Sequence, residues 1–280
     1  IPTQKTLSGR CSGRRIKAMD SKVIEAGKIT VSFKSKRGQT HRAVSDISLS
    51  LAPGETLAVV GGSGSGKTTL LRTLIGLVKP DAGHVALYGA DISHTDSREL
   101  AKLRQRCGYV QQDPYGAIPP GLTALDSVCE PAIIAGIRTG REEIRERAVT
   151  LLAELGLKGE RVLKSRAAGL SGGQRQRVQI ARALMLSPGI LLCDEPTSMQ
   201  DASTRGEVID VLTKHVAEGT AMIFVTHDLL LAGRAADRIM VMKEGSLCEE
   251  GPSGKILNSP DDPYTIRLIS AIPGFGKIIG

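Results

Sequence analysis

The residues best suited to chemistry lie in one glycine-rich stretch, VVGGSGSGKTTLL, at positions 59–71. Gly61 and Gly66 are separated by four residues and followed by Lys67 and Thr68, a spacing that turns backbone N–H groups toward β- and γ-phosphate oxygens. Lys67 would neutralise the phosphates, and the Thr68 hydroxyl would bind Mg²⁺. The expected nucleotide contacts are Gly61, Gly62, Ser63, Gly64, Ser65, Gly66, Lys67, Thr68 and Thr69. A glycine-rich turn without a ligand is the alternative interpretation.

Two acids form a second candidate group, because the apolar run GILLCD is followed directly by a glutamate. Asp194 is placed to hold Mg²⁺ through its water shell, and Glu195 to orient and deprotonate an attacking water. A strand that ends in two acids is also common as a solvated strand end. The glycine-rich loop elsewhere in the chain favours the catalytic interpretation.

A third group, LSGGQ at positions 170–174, opens a helix with Ser171, Gly172 and Gly173. A helix start of this kind is a second anion site. A chain with two phosphate-binding helix starts needs either two phosphates or two copies of itself.

The elements that must position these groups are indicated by apolar runs. TLAVV (56–60), GILLCD (189–194) and AMIFVT (221–226) are short, continuous and apolar, as in strands buried on both faces of a parallel sheet. The first leads into the loop and a helix predicted over 69–78. KITVSF (28–33) and AVSDISLSL (43–51) alternate like antiparallel strands, and a hairpin is predicted to turn at Glu244 and Gly245. Ligands of open α/β sheets bind where such strands end.

A block of different composition, about 113–170, separates these elements. Within it, apolar residues recur at helical spacing while the charges fall on the other face: Ile144, Ala148, Leu151, Leu152 and Leu155. We interpret this block as a helical insertion.

Composition limits the other classes. Net charge is +8, but residues 1–22 carry six basic residues against Asp20, a net charge of +5. That arm has the charge to bind anionic lipid or nucleic acid, yet a disordered extension is the simpler expectation. Cysteines are widely spaced and show no C-x-x-C pair, which fits a reducing cytoplasm. No apolar run approaches the roughly 18 residues of a membrane span.

Read together, these motifs resemble ATP-binding cassette (ABC) ATPases, whose signature is LSGGQ. Other family motifs follow in order: Gln112 in YVQQDP (the Q-loop), Asp194 and Glu195, the DEPTSMQD segment (the D-loop) and His227 in VTHD (the switch histidine). Phe33 is placed like the aromatic residue that stacks on adenine. The resemblance covers about residues 23–250 and implies an α/β fold of the P-loop NTPase (RecA-like) type, with an antiparallel β subdomain, the inserted helical subdomain and a short tail at 251–280.

The resemblance also implies a mechanism. Two cassettes meet head to tail, so Ser171, Gly172, Gly173 and Gln174 would contact ATP bound to the partner, whereas Lys67, Thr68, Gln112, Asp194, Glu195 and His227 would serve the chain's own ATP and Mg²⁺. Catalysis would involve Glu195, His227, Gln112 and Lys67, with Thr68, Gln112 and Asp194 at the metal. His227 alone, at a strand end, would more often be structural.

Within the family, the segment QQDPYGAIPPG and the tail SPDDPYTIRLISAIP resemble the subfamily that energises uptake of oligopeptides, dipeptides or nickel. Expected partners are two permease subunits, a second and non-identical ATPase and, indirectly, an extracytoplasmic solute-binding protein, at the cytoplasmic face of the membrane. Asp262 replaces the histidine usual in the tail motif. Gln200 replaces the leucine usual in the D-loop, which is expected to put an amide on the face toward the other cassette.

A soluble ABC ATPase that acts on DNA or ribosomes is the main alternative. The single cassette argues against it, as does the concentration of basic charge in the arm, and no nucleic-acid partner is expected.

Overall fold

The computed structural model describes residues 22–34, 38–137 and 140–272 of the 280-residue chain. Its strands are β1 (Ile24–Lys34), β2 (Thr40–Leu51), β3 (Thr56–Gly61), β4 (Ala82–Leu87), β5 (Ala90–Asp91), β6 (Cys107–Val110), β7 (Ile190–Asp194), β8 (Ala221–Val225), β9 (Arg238–Lys243) and β10 (Ser246–Pro252). Its α-helices are α1 (Lys67–Leu74), α2 (Ser97–Gln105), α3 (Pro114–Ala117), α4 (Ala124–Ile134), α5 (Arg141–Glu154), α6 (Glu160–Lys164), α7 (Gly172–Leu184), α8 (Ala202–Ala217), α9 (Leu229–Ala235), α10 (Ser253–Asn258) and α11 (Pro263–Ser270). The predicted extension at 1–22 lies outside the described residues, apart from Lys22.

Within the described residues, the central sheet has the strand order β10-β9-β3-β8-β7-β6. Strands β6, β7, β8, β3 and β9 run parallel, and β10 pairs antiparallel with β9. Every residue of β3, β7 and β8 is buried, as their continuous apolar sequences predicted. A second, antiparallel sheet has the order β2-β1-β4-β5. The predicted α/β fold, with a mostly parallel sheet and an antiparallel subdomain, is therefore confirmed.

The central sheet separates two apolar cores, because successive residues of a strand point to opposite faces. In β3, Leu57 and Val59 pack with α1 and the antiparallel sheet. Ala58 and Val60 pack on the other side, in the cluster that contains the helices of the insertion. Strand β3, which leads into the glycine-rich loop, is thus packed on both faces, one against each apolar core.

Helix α1 ends earlier than predicted, at Leu74 instead of residue 78. Gly76 has φ +68°, its N–H donates to the Thr73 carbonyl, and the Leu77 N–H donates to the Arg72 carbonyl. This is the glycine-terminated C-cap in which the last carbonyls are satisfied by a left-handed residue. The helix therefore ends just before Gly76 and does not reach residue 78.

The later elements agree with the predicted pattern and extend it. Strands β9 and β10 form the expected hairpin, with positive φ at Glu244 and Gly245. In α5, Ala148, Leu151 and Leu152 are buried, as the helical spacing predicted. The expected tail contains α10 and α11, whose Ile256 and Ile269 are buried in the core. The described helices include none with both the length and the apolar character needed to cross a bilayer.

Candidate active site

The loop between β3 and α1 has the backbone geometry that its glycines predicted. Gly64 and Gly66 have φ +74° and +97°, values that residues with a side chain rarely adopt. A Cβ atom at Gly66 would stand 2.0 Å from the Ala43 carbonyl oxygen. Glycine is therefore required at Gly66 both by its conformation and by its closeness to β2.

Lys67 is the first residue of α1, and its side chain turns back into this loop. Its Nζ donates to the carbonyl oxygens of Gly61 (2.9 Å) and Gly62 (2.8 Å) and to the Ser65 hydroxyl (3.2 Å). Burial lowers the pKa of Lys67, and the negative charges of Glu195 and Asp194 act in the opposite direction. The ammonium group is thus held inside the loop, where it faces the two acids.

Asp194, the last residue of β7, is 1% exposed. Burial raises its pKa, and the nearby Thr68 hydroxyl opposes that rise. Within the described residues, neither carboxylate oxygen has a hydrogen bond of acceptable geometry. A buried carboxylate without such partners is costly. Carboxylate and hydroxyl oxygens are the ligands that Mg²⁺ prefers, so Asp194 and Thr68 fit that ion.

Glu195 follows directly and has φ +50°, a left-handed conformation that is uncommon for a residue with a side chain. Its N–H donates to the Val225 carbonyl (3.0 Å), and its carbonyl accepts from the Gln176 side chain (2.9 Å). These two bonds fix the backbone on either side of the Cα atom. The side-chain Oε2 lies 3.6 Å from Nδ1 of His227, whose side chain is 68% exposed.

These groups line one cleft of about 420 Å³. Its walls include most of the predicted site residues: Phe33, Gly61, Ser63, Gly64, Ser65, Gly66, Lys67, Thr68, Thr69, Gln112, Glu195 and His227. Phe33, in β1, is 47% exposed. Gly62 and Asp194, which were also predicted, are not part of this lining. The Gly62 N–H points to the Tyr264 hydroxyl instead, and Asp194 is almost fully buried.

Two lining residues, His41 and Ala43, were not identified from the sequence. His41 is the cross-strand partner of Phe33 in the β1–β2 pair, so both side chains are on the same face. The second strand was predicted to begin at residue 43, whereas β2 begins at Thr40, so His41 fell outside the predicted strand.

The LSGGQ residues lie elsewhere. Ser171 caps α7 by accepting the Gln174 N–H (3.2 Å), while the Gln174 side chain accepts the Ser171 N–H (3.0 Å). This reciprocal capping box forms the helix start that the sequence predicted. Ser171, Gly172, Gly173 and Gln174 do not line the cleft. Their predicted contact with nucleotide stays a prediction that requires a second cassette.

The expectation for Gln200 was wrong. Its side chain is not on the surface: Gln200 is 6% exposed, and Nε2 donates to the Gly173 carbonyl (2.9 Å) and the Gln176 side chain (3.2 Å). Two buried acceptors are available on α7, so the amide turns inward to satisfy them. The neighbouring Met199 is the exposed apolar residue of this segment, at 46%.

Comparisons with known proteins identify the family. Residues 44–198 match the family described as ABC transporter. The oligopeptide transport ATP-binding protein OppF of Escherichia coli (strain K12) is 36% identical over 260 residues, 90% of this chain and 78% of that protein. The glutathione import ATP-binding protein GsiA of Escherichia coli O157:H7 is 38% identical over 82% of this chain, which spans 37% of that longer relative.

Solved structures that resemble the chain include ABC cassettes. The dimeric structure of MJ0796, described as a bacterial ABC transporter cassette, superposes with a TM-score of 0.77 and 35% identity over 82% of this chain and 98% of that one. A second MJ0796 structure is described as a post-hydrolysis state bound to ADP and Pi. It also superposes with a TM-score of 0.77, with 34% identity over 82% of this chain and 98% of that one.

Proposed function

The chain belongs to the ABC transporter family and is an ATP-binding, ATP-hydrolysing subunit, and from this premise we propose that it powers peptide import through membrane-spanning partners. The cleft lined by Lys67, Glu195 and His227 carries the ATP-driven part of this proposal, because it joins a phosphate-binding loop to an acid and a histidine. The relatives named above are called oligopeptide and glutathione transport proteins, and both cargoes are peptides.

The cleft residues that were predicted from the sequence have proposed roles. Phe33 stacks on the adenine, and the N–H groups of the loop bind the β- and γ-phosphates. Lys67 redirects Nζ from the loop carbonyls toward phosphate oxygens. Glu195 accepts a proton from the attacking water, while His227 and Gln112 orient the reacting groups. Mg²⁺, when bound by Thr68 and Asp194 with Gln112 nearby, would neutralise phosphate charge.

The LSGGQ helix is proposed to act on a partner's nucleotide. Ser171 and Gly173 are outside the chain's own cleft, yet they form a helix N-terminus suited to an anion. A head-to-tail pair of cassettes would place this helix against the phosphates of the other subunit. ATP binding would then favour the closed pair and hydrolysis would reset it.

A groove next to the cleft suits the transmission of this motion. It has a volume of about 490 Å³ and runs between β6, α4 and α7. Gln111 lines the groove, whereas the next residue, Gln112, lines the nucleotide cleft. Ile134 at its edge is 70% exposed. We propose that a segment of a permease subunit docks here, so that movement at Gln112 reaches the membrane.

The proposed assembly contains two permease subunits, a second and non-identical cassette and, indirectly, an extracytoplasmic solute-binding protein. The chain would then sit at the cytoplasmic face of the membrane. Affinity purification of the tagged chain from gently solubilised native membranes, followed by mass spectrometry, tests this assembly. Recovery of permeases and a binding protein is expected, whereas ribosomal or DNA-repair proteins without membrane subunits would support the soluble alternative.

A matched pair of variants tests the groove. Ile134→Glu should abolish copurification of permeases while ATP binding is retained, because the substitution puts a charge at an apolar contact. Val149→Glu, at the 36% exposed Val149 of α5, is the control and should leave copurification unchanged. The copurified binding protein, titrated with oligopeptides, dipeptides, glutathione and Ni²⁺, then identifies the cargo; tight Ni²⁺ binding without peptide binding would contradict a peptide cargo.

A further inference from the structure

The C-terminal helix α11 contacts the phosphate loop directly. The Gly62 N–H donates to the Tyr264 hydroxyl over 3.1 Å, although the two residues are 202 positions apart. We propose that Tyr264 is a positioning residue for nucleotide binding, which holds the phosphate loop from its outer side. This inference rests on the proposed nucleotide site and adds a residue to it.

Tyr264 holds the phosphate loop without occupying an N–H group that faces the phosphate site. Gly61 and Ser63 line the cleft, but Gly62 between them does not. The Gly62 N–H points to Tyr264, outside the cleft, while its carbonyl accepts from Lys67 Nζ inside the loop. A Cβ atom at position 62 would stand 3.4 Å from the hydroxyl, an ordinary van der Waals contact, so the hydroxyl approaches the backbone without requiring glycine there.

Tyr264 is itself firmly positioned. Asp262 caps α11 by accepting the N–H groups of Tyr264 (2.7 Å) and Thr265 (3.2 Å). The 8% exposed Glu249 of β10 accepts the N–H groups of Asp261 (2.9 Å) and Asp262 (3.1 Å), one on each carboxylate oxygen. The start of α11 is therefore bonded to the β9–β10 hairpin, which pairs with β3 and so lies beside the loop.

The hydrogen bond between Gly62 and Tyr264 matters when nucleotide binds. Lys67 holds the Gly62 carbonyl, and Nζ must give up part of its loop contacts to reach a phosphate oxygen. The bond to Tyr264 is on the opposite side of the same residue and does not depend on Lys67. It would keep the start of the loop in place, so that less conformational freedom is lost on binding.

Tyr264→Phe removes the hydroxyl and keeps the ring, which packs against the core. Loss of one hydrogen bond that preorganises the loop should weaken ATP binding by about threefold to tenfold. Calorimetric titration of the full chain with Mg-ATP measures the Kd. In steady-state hydrolysis, KM should rise by a similar factor while kcat changes less than twofold, as expected when ground and transition states lose the same contact.

Tyr88→Phe is the matched control. The Tyr88 hydroxyl donates to the Arg106 carbonyl over 2.9 Å, and Tyr88 is not part of the cleft lining. Its loss should lower the melting temperature without changing the Kd for ATP. An unchanged Kd in Tyr264→Phe, or equal weakening in both variants, would overturn the proposal.

Glu249→Gln supplies an independent test. The amide retains one acceptor where the carboxylate has two, which loosens the start of α11. If Glu249 acts through Tyr264, the double variant should bind ATP no more weakly than Tyr264→Phe alone, whereas additive losses would argue against a shared path. Lys67→Ala separates the two proposals: if it binds ATP normally, the nucleotide site itself is wrong, whatever Tyr264 does.

Discussion

The Nδ1 atom of His227 lies 3.6 Å from Oε2 of Glu195, and both side chains line the same cleft as Lys67. The Glu195 backbone is fixed by bonds to Val225 and Gln176. The His227 side chain is mostly exposed. The acid is thus held in place, while the histidine has room to turn toward a phosphate or a partner subunit.

Glu195→Gln should retain ATP binding and lose turnover by on the order of 10² or more, the scale for removal of one group that stabilises the transition state. The amide keeps the shape of the side chain but cannot accept the proton from water. Phosphate release and equilibrium ATP binding measure the two effects. Glu146→Gln, at an exposed position of α5, is the control and should hydrolyse ATP normally. Parent-rate hydrolysis by Glu195→Gln would exclude Glu195 as the general base.

Lys67→Ala should weaken ATP binding by about 10- to 100-fold, because a hydrogen bond from a charged donor contributes about 1.5–3 kcal/mol. Calorimetric titration with Mg-ATP gives the Kd. Lys102→Ala, at an exposed position of α2, removes the same charge away from the cleft and should bind as the parent does. Equal affinities in the two variants would contradict the assignment of the loop.

We expect the chain to pair with a second cassette that is not identical to it. Glu195→Gln with saturating ATP should remain monomeric on size-exclusion chromatography and dimerise when the second cassette is added. Because Gln200 is buried against Gly173, it gives no reason for a mixed pair, and the expectation now depends on the family resemblance alone. A stable ATP-dependent homodimer of the variant would contradict it.

Much of the fold could be predicted because its signals are local. The strands β3, β7 and β8 are buried on both faces, which requires continuous apolar sequence. The glycine-rich loop and the capping box of α7 are likewise set by neighbouring residues. The four-residue edge strand β6 was missed, since so short a run has no clear periodicity.

The remaining features depend on contacts between distant segments. The side chain of Gln200 turns inward because Gly173 and Gln176 present acceptors from another helix. The contact of Tyr264 with Gly62 joins residues that are 202 positions apart in the sequence. Neither contact has a signal in the adjacent sequence, so propensity and spacing alone do not reveal them.

Asp194→Asn should stabilise the free chain while abolishing hydrolysis. The carboxylate is 1% exposed and has no well-formed hydrogen bond within the described residues, so its charge destabilises the fold when no cation is bound. In EDTA, the melting temperature should rise by about 2–4 °C, as for about 1 kcal/mol. Asp210→Asn, at a side chain 60% exposed and paired with Arg234, should change it little. A lower melting temperature for Asp194→Asn would show that the buried charge is already compensated in the free chain.

Asp201, the last residue of the D-loop, is expected to make the stability of the fold depend on pH in the acid range. Hydrogen bonds from the Ser203 hydroxyl and from the backbone and hydroxyl of Thr204 lower the pKa of Asp201, the N-cap of α8, to about 2. The ordinary value is about 3.9, so the charged form stabilises the folded state above about pH 4, and this stabilisation is lost as the pH falls toward 2.

Asp201→Asn keeps a capping oxygen but has no charge to titrate. Its melting temperature should therefore lie below that of the parent at pH 7, because the charged form of Asp201 stabilises the folded state there. The difference in melting temperature between the parent and Asp201→Asn should decrease as the pH falls from about 4 toward 2. Asp201→Ala, which also loses the capping oxygen, should stay below Asp201→Asn throughout. Thermal unfolding from pH 7 to about pH 2 measures all three proteins, and a difference in melting temperature between the parent and Asp201→Asn that is constant with pH would contradict a charge-dependent cap.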